Sequence, residues 1–441
     1  MPHPAVVQKD RETTKVRIVY DGSAKSTKNE ISLNDCLENG PNYIPLIFDV
    51  LVKFRSNTVA LTADIEKAFL MVGIRKEHRD MLRFLWFSNP SESTPEVVQY
   101  RFNRLVFGLR PSPSILGATI KFHLEQYRQS EPELVELIER SLYVDDLVTG
   151  EITAEKAYAI FERSKKVMSE GGFNLRKWKT NSRELPYKIA QDEAVNQGDT
   201  GQPSVGKIQE DDESYAKSTT GTVSSASKES VVKVLGLNWN IHTDEFYFEC
   251  DELYDHAVSL PLSKRSVLKV TAKIFDPIGI LTPFTIRMKV LFQELCVTKH
   301  DWDGELQPEL LKKWKFFLSQ LNHLGSIHIP RCYFSFVPRE IQLHAFSDAS
   351  KLAYAAVVYV RTVYENGQID VRLVASKSAV SPLKSQSIPR LELLGALILA
   401  RLVDSLTRTG IKCTKETTFW TDIMLDKECG RLETVCATSC E

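Results

Sequence analysis

The stretch from Ser141 to Thr149 places two adjacent carboxylates, Asp145 and Asp146, in the middle of an apolar, β-branched run. This pattern predicts two short strands joined by a tight turn, with both acids at its tip. Because burying an unpaired carboxylate is costly, the pair is expected to face a solvated cleft. Carboxylate oxygens at such a position suit Mg²⁺. An acidic tip on an ordinary surface hairpin is the alternative interpretation.

A further acid, Asp64, ends the apolar run that begins at Val59 and is followed by a predicted helical turn. An acid at the end of a buried strand can project into a cleft, so Asp64 is the expected partner of the acidic tip. Three carboxylates can hold two metal ions, one activating a primer 3′-hydroxyl and one holding a triphosphate. The ring of Phe69 is a candidate gate that excludes a ribose 2′-hydroxyl; a core position is the alternative.

Other residues are candidate contacts to a nucleotide. Arg17 and Lys25 flank a predicted turn in a basic segment, where cations would offset triphosphate charge. Gly108 precedes a proline-containing entry to a helix and would let the backbone come close to a ligand. A solvated hairpin and a plain loop–helix junction are the respective alternatives.

The last hundred residues predict a β-β-β-α-β order with acids at strand ends and on the helix. These acids are Asp348, Glu392 and Asp422. Such an arrangement would allow a second two-metal site, for phosphodiester hydrolysis.

The net charge of −1 does not by itself indicate a nucleic-acid enzyme. Residues 184–230, however, hold nine acidic and four basic residues, and the rest of the chain carries a net charge of +4. This polar segment predicts a disordered surface insert. It contains Asp199-Thr-Gly, an aspartic-protease triplet, but without the apolar strand that such a triplet follows. With neither a signal peptide nor a membrane span expected, a cytoplasmic or nuclear location is predicted.

Taken together, these motifs resemble the polyprotein of a Bel/Pao-type LTR retrotransposon over nearly the whole chain. The stretches that carry the resemblance are 17–25 (RIVYDGSAK), 61–69 (LTADIEKAF), 107–113 (FGLRPSP), 143–146 (YVDD), 173–178 (FNLRKW), 273–279 (KIFDPIG), 346–350 (FSDAS), 389–394 (PRLELL) and 419–422 (FWTD).

The resemblance implies an α+β fold, in which a right-hand polymerase arrangement of palm, fingers and thumb precedes a truncated ribonuclease H-like α/β domain. Residues 1–182 would form fingers and palm, and 183–230 the disordered insert. Residues 231–335 would form the primer-grip strand, thumb and connection, a region labelled Pao "peptidase" although it shows no protease chemistry. Residues 336–441 would form the ribonuclease H-like domain.

By the same resemblance Asp64, Asp145 and Asp146 are polymerase metal ligands, with two Mg²⁺ ions per site or Mn²⁺ in their place. Asp348, Glu392 and Asp422 are three of four ribonuclease H acids, and the sequence after Asp422 departs from the family pattern. Ribonuclease H activity is therefore not expected.

The predicted function is that of an RNA-directed DNA polymerase, which extends a DNA primer on an RNA template with deoxynucleoside triphosphates. A catalytically inactive remnant that at most binds nucleic acid is the alternative.

Overall fold

The computed structural model of the chain describes residues 1–3, 5–7, 16–189 and 231–421, without the side chains of residues 5–7, 16 and 17. Asp199, Asp422 and most of the predicted insert lie outside the described residues. The chain divides into two compact units. The first unit contains residues 1–46 and 59–229, and the second contains residues 47–58 and 230–441. The short segment 47–58, predicted to belong with the fingers and palm, is therefore part of the second unit.

The chain contains both helices and strands throughout. Up to residue 189 the elements are β1 (Ala5–Val7), β2 (Val16–Ile18), α1 (Ile47–Phe54), β3 (Val59–Ile65), α2 (Ala68–Met71), β4 (Arg83–Phe87), β5 (Val97–Arg101), α3 (Ser112–Glu125), α4 (Pro132–Ser141), β6 (Leu142–Tyr143), β7 (Asp146–Glu151), α5 (Ala154–Glu170) and β8 (Leu175–Lys179). From residue 231 they are β9 (Val231–Val234), β10 (Leu237–Asn240), β11 (Glu245–Tyr247), α6 (Asp251–Ser259), α7 (Lys264–Lys273), α8 (Thr282–Val297), α9 (Pro308–Leu321), β12 (His328–Pro330), β13 (Glu340–Ala349), β14 (Ala353–Val363), β15 (Ile369–Val380), α10 (Ile388–Thr409) and β16 (Thr418–Thr421). Short 3₁₀ helices cover Leu33–Asp35, Lys76–Met81 and Asn322–Ser326.

The first unit is built on an antiparallel sheet in the order β6-β7-β3-β8. Strand β3 is central, and Ala60 and Leu61, which point to opposite faces of the sheet, are both fully buried. One face packs in a core with α3, α4 and the C-terminal part of α5, through Ala63, Leu116, Ile138 and Met168. This sheet fixes the place of Asp64 and of the acidic tip.

The N-terminal part of α5 packs against the same face of the sheet, nearer the start of β3, because Leu61 and Ala63 are two residues apart on a regular strand. Apolar residues at helical spacing, Ala157, Ile160 and Phe161, contact Leu61 of β3. The cluster also contains Leu185 and Ile189, which lie in the helical residues 185–189. Residue 183 is therefore too early a start for the predicted insert, because these two apolar side chains are buried.

The second unit contains a mixed sheet in the order β15-β14-β13-β16. Strands β13, β14 and β15 form an antiparallel meander, and β16 pairs in parallel with β13. Between β15 and β16 runs α10, which packs on one face of the sheet and buries Leu391, Leu399 and Leu406. The predicted β-β-β-α-β order is confirmed.

A smaller antiparallel sheet, β12-β11-β10-β9, and helices α6–α9 complete the second unit. Strands β9 and β10 pair across a turn at Leu235 and Gly236, and residues 274–281 separate α7 from α8. Helix α6 was not predicted, because its short sequence, DELYDHAVS, buries only one residue, Ala257. In the part of the chain that the structure describes, no helix combines the length and apolar character that a membrane span requires.

Two buried arginines join segment 47–58 to the rest of the second unit. Arg331 donates from Nε and Nη2 to the two carboxylate oxygens of Asp244, at 2.6 and 2.8 Å. Its guanidinium also donates to the carbonyls of Phe54, Asn57 and Thr58. Arg55 donates in return to three carbonyls, those of Pro330, Arg331 and Val374, and burial lowers the pKa of its guanidinium. Helix α1 is therefore an integral part of this unit.

Candidate active site

The acidic tip has the predicted hairpin geometry. Tyr143 of β6 pairs with Asp146 of β7, and only Val144 and Asp145 lie between them. Val144 has a φ of +60°, a left-handed conformation that a β-branched residue rarely adopts. Asp145 is 5% exposed and Asp146 is half-buried. A strained two-residue loop thus presents two consecutive carboxylates at the end of a strand pair.

Asp64 lies beside this tip. In the β3–β7 pairing Asp64 is directly opposite Asp146, a position at which Cα atoms are about 4.5–5.5 Å apart. The amide of Ile65 donates to the carbonyl of Asp145 at 2.8 Å, so the backbone hydrogen bonding continues past the strand end. The structure therefore brings the three predicted polymerase acids together on adjoining backbone.

Two cations from β8 contact the Asp64 carboxylate. Its Oδ2 is 3.5 Å from Nε of Arg176 and 3.9 Å from Nζ of Lys177. Arg176 also donates from Nη1 to Glu66 at 3.1 Å. The sequence analysis did not predict the contact of these two cations with Asp64. The one signal for it in the sequence is the run of cations at residues 176–179.

The donor set fits a divalent cation, since hard carboxylate oxygens are the ligands that Mg²⁺ and Mn²⁺ accept. Asp64 and Asp146 on neighbouring strands, with Asp145 adjacent, would supply them. Within the described ranges, however, no three or more His, Cys, Asp or Glu side chains converge to hold an ion. The three acids lie on adjoining backbone, and their side chains would have to rotate to bind one ion together.

Phe69 lies in the core of the first unit. It is 1% exposed, and its ring centroid is 4.3 Å from that of Phe107. The ring of Phe69 thus has the core position that was the alternative interpretation, and in this conformation the ring presents no surface to a nucleotide. A gate role for Phe69 stays a prediction that requires the ring to become accessible.

Two of the remaining nucleotide candidates, Lys25 and Gly108, contact other parts of the protein. Lys25 forms an ion pair with Asp35 at 2.7 Å, and hydrogen bonds from Lys25 and Ser32 hold the pKa of Asp35 well below its usual range. Gly108 has a φ of +89° and lies so close to the carbonyl of Tyr20 that an added Cβ would be 2.0 Å from its oxygen. The close approach predicted for Gly108 is therefore to the protein's own backbone. The side chain of Arg17 lies outside the described residues.

The second unit holds the other set of acids. Asp348 is exposed at the end of β13, and Glu392 is half-buried in the first turns of α10, which packs on β13. Asp348 also lines a cavity of about 800 Å³ between the sheet and the start of α8, with Phe346, Tyr359 and Trp420 among its walls. Since Asp422 lies outside the described residues, the structure places two of the three predicted acids.

Comparison with solved structures shows what the fold is similar to. The chain is similar to the foamy viral protease–reverse transcriptase in three structures: with an RNA/DNA hybrid (TM-score 0.51, 17% identity), with double-stranded DNA in a form designated dRH (0.53, 16%) and with double-stranded DNA (0.51, 16%). These alignments cover 97%, 100% and 98% of this chain, and 45%, 61% and 70% of the foamy viral chains. The likeness shows a mixed α/β fold of the reverse-transcriptase type, and the chain spans roughly half to two-thirds of the length of these relatives.

One segment of the sequence matches a family model. Residues 263–423 match the family described as Pao retrotransposon-like RNaseH-like domain. This match and the structural likeness confirm the resemblance to a Pao-type retroelement polyprotein. The matched segment begins within the region predicted as thumb and connection and ends just beyond Asp422. No curated protein sequence matches the chain.

Proposed function

We propose that the chain is an RNA-directed DNA polymerase of a retrotransposon and that the acids of its first unit form the catalytic site. The observation that carries the proposal is the register of Asp64 opposite Asp146, with Asp145 in the adjoining turn. The fold likeness to a reverse transcriptase and the Pao match support the same assignment. The palm would then be the β6-β7-β3-β8 sheet, the fingers would include the β4–β5 hairpin, and the thumb would be α6–α9.

In this proposal the three carboxylates orient a primer 3′-hydroxyl and a triphosphate for in-line attack. Asp64 and Asp146 would lie on either side of the reacting oxygen atoms, and the buried position of Asp145 would fix its carboxylate. Bound Mg²⁺ would supply the positive charge that activates the hydroxyl and stabilises the leaving pyrophosphate. The partners would be an RNA template, a DNA primer and deoxynucleoside triphosphates, in line with the RNA/DNA hybrid and double-stranded DNA held by the foamy viral enzyme.

Primer extension on an RNA template, with deoxynucleotides and Mg²⁺, tests this proposal. The purified chain is expected to extend the primer, and Asp145→Asn is expected to abolish extension while the circular dichroism spectrum is retained. Glu162→Gln removes one exposed negative charge from α5 of the same unit and is expected to leave extension unchanged. Full extension by Asp145→Asn would remove Asp145 from the site.

A second candidate is a catalytically inactive protein that binds nucleic acid. It is favoured by the contact of two cations with Asp64 and by the absence, among the described residues, of a converged group of three metal-binding side chains. Fluorescence anisotropy with a labelled RNA/DNA hybrid measures this binding separately. Salt-dependent binding without extension would favour the second candidate over the polymerase.

A further inference from the structure

Strand β8 is irregular beside the acidic site. In its pairing with β3, Thr62 lies opposite Lys179 and Asp64 lies opposite Arg176, so β8 contributes one residue more than β3 over this span. Within the irregular stretch, Lys177 has a φ of +53°, a left-handed conformation that lysine rarely adopts. An extra residue of this kind re-aims side chains, and such bulges are frequent next to active sites.

The bulge brings two consecutive side chains to one atom. Neighbouring residues of a regular strand point to opposite faces of the sheet. Arg176 and Lys177 nevertheless both reach Oδ2 of Asp64. Unfavourable backbone is retained where the surrounding structure enforces it, and such a site is a reason to look for a function. Here the direct effect is a doubled positive charge at one predicted metal ligand.

Arg176 donates one hydrogen bond, from Nη1 to Glu66, and the rest of its guanidinium is without hydrogen-bond partners among the described residues. Its Nε and Nη2 atoms are buried and, within the described part of the chain, have no hydrogen-bond partner. The 3.5 Å from Nε to Asp64 is longer than a normal N–H···O bond. The contact is therefore Coulombic, in contrast to the bidentate pair of Arg331 with Asp244. Arg176 can withdraw from Asp64 without breaking a hydrogen bond to it.

We propose that Arg176 and Lys177 act as a counter-cation pair, which neutralises Asp64 until a divalent cation binds and so sets the cation concentration at which the site fills. This inference rests on the proposed function, which places a divalent cation at Asp64. A divalent cation at this carboxylate would compete with Arg176 and Lys177 for its negative charge, so loading is opposed as long as the pair stays in place. Their charge also repels an approaching ion, because Coulomb repulsion acts strongly at a few ångströms in a partly buried site.

Mn²⁺ binding to the full chain, followed by the electron paramagnetic resonance signal of free Mn²⁺, tests the counter-cation pair without relying on activity. The site-specific part of the binding is the part lost in Asp64→Asn. Arg176→Met and Lys177→Asn are each expected to lower the Kd for Mn²⁺ roughly tenfold. Asn is chosen for Lys177 because it tolerates the left-handed conformation. Arg176→Lys, which keeps the charge, is expected to retain the wild-type Kd.

Lys179→Met is the matched control. It removes one positive charge from the same strand, at an exposed position two residues beyond Lys177, and is expected to leave the Kd for Mn²⁺ unchanged. Circular dichroism checks that each variant is folded. Lys177 is the more exposed of the pair, so Lys177→Asn decides the question should Arg176→Met fail to fold.

Two outcomes would overturn the inference: a Kd for Mn²⁺ that is unchanged or raised in the folded variants, or site-specific binding in neither wild type nor variants. Primer extension separates this result from the proposed function. An unchanged Kd with normal extension would refute the counter-cation pair and leave the polymerase standing. If the variants bind Mn²⁺ more tightly but the wild-type chain does not extend a primer, the counter-cation pair is supported and the polymerase is refuted.

Discussion

Replacing Arg331 with Met tests whether segment 47–58 is held in the second unit by a buried cation. The substitution keeps an unbranched side chain but removes the ion pair with Asp244 and the bonds to three carbonyls. Breaking one partner of a buried pair costs about 3–5 kcal/mol. Asp244 is partly exposed and recovers some hydration, so we expect a loss near the lower end, about 3 kcal/mol. This is a large part of the roughly 5–15 kcal/mol by which a domain is stable.

Urea unfolding followed by tryptophan fluorescence measures this loss. The ring of Trp239 is 5.9 Å from the Arg331 guanidinium and reports on this site. Arg265→Met is the matched control, because Arg265 and Asp303 form the same bidentate pair at 2.7 and 2.9 Å while remaining exposed. Exposed ion pairs contribute little to stability, so this control should unfold like the wild type. An equal loss in the two variants would refute the argument from burial.

Three further predictions concern separate sites. Gly108→Ala should lower the unfolding temperature more than Gly172→Ala, because both glycines have positive φ but only Gly108 meets a backbone carbonyl, at 2.0 Å; equal shifts would contradict the close approach. Burial and a nearby arginine lower the pKa of His344 from 6.5, and its Nδ1 accepts a hydrogen bond from Trp420. The contribution of neutral His344 to the free energy of unfolding is therefore complete above pH 6.5 and is lost as the pH falls through its lowered pKa. A Trp420 fluorescence that does not change with pH would contradict this. Phe69→Ala should cost about 3–5 kcal/mol in urea unfolding as a core truncation; a gate role requires ribonucleotide incorporation as well, which primer extension with ribonucleotides measures.

Local sequence patterns determined most of the elements. The alternation and turn residues around Asp145 predicted the β6–β7 hairpin, and the apolar run ending at Asp64 predicted β3. Asp64 is the last residue but one of β3, and Asp145 and Asp146 lie at the β6–β7 turn, so local patterns alone predicted their positions at strand ends. Their alignment across strands depends on register, which the two strands set together and neither sequence states alone.

Features that depend on distant contacts were not predictable in this way. The sequence of helix α1 shows only an apolar helical pattern, and nothing in it says that Arg55 meets Arg331. The contact of Arg176 and Lys177 with Asp64 depends on a left-handed lysine, and lysine has no preference for that conformation. The close neighbour of Gly108 could be a ligand or a carbonyl, and the sequence does not distinguish them.

The assignment of segment 47–58 to the second unit has a consequence for synthesis on the ribosome. Arg55 and Arg331 are 276 positions apart, so at about 5–20 residues per second the first emerges roughly 14–55 s before the second. Val50, Leu51 and Phe54 are all buried in the finished protein, and until residues 239–246 emerge Phe54 lacks the rings of Trp239 and Phe246 against which it packs. The nascent chain therefore carries an apolar helix whose packing partners are made much later. The matched Pao segment, released alone, would lack that helix altogether.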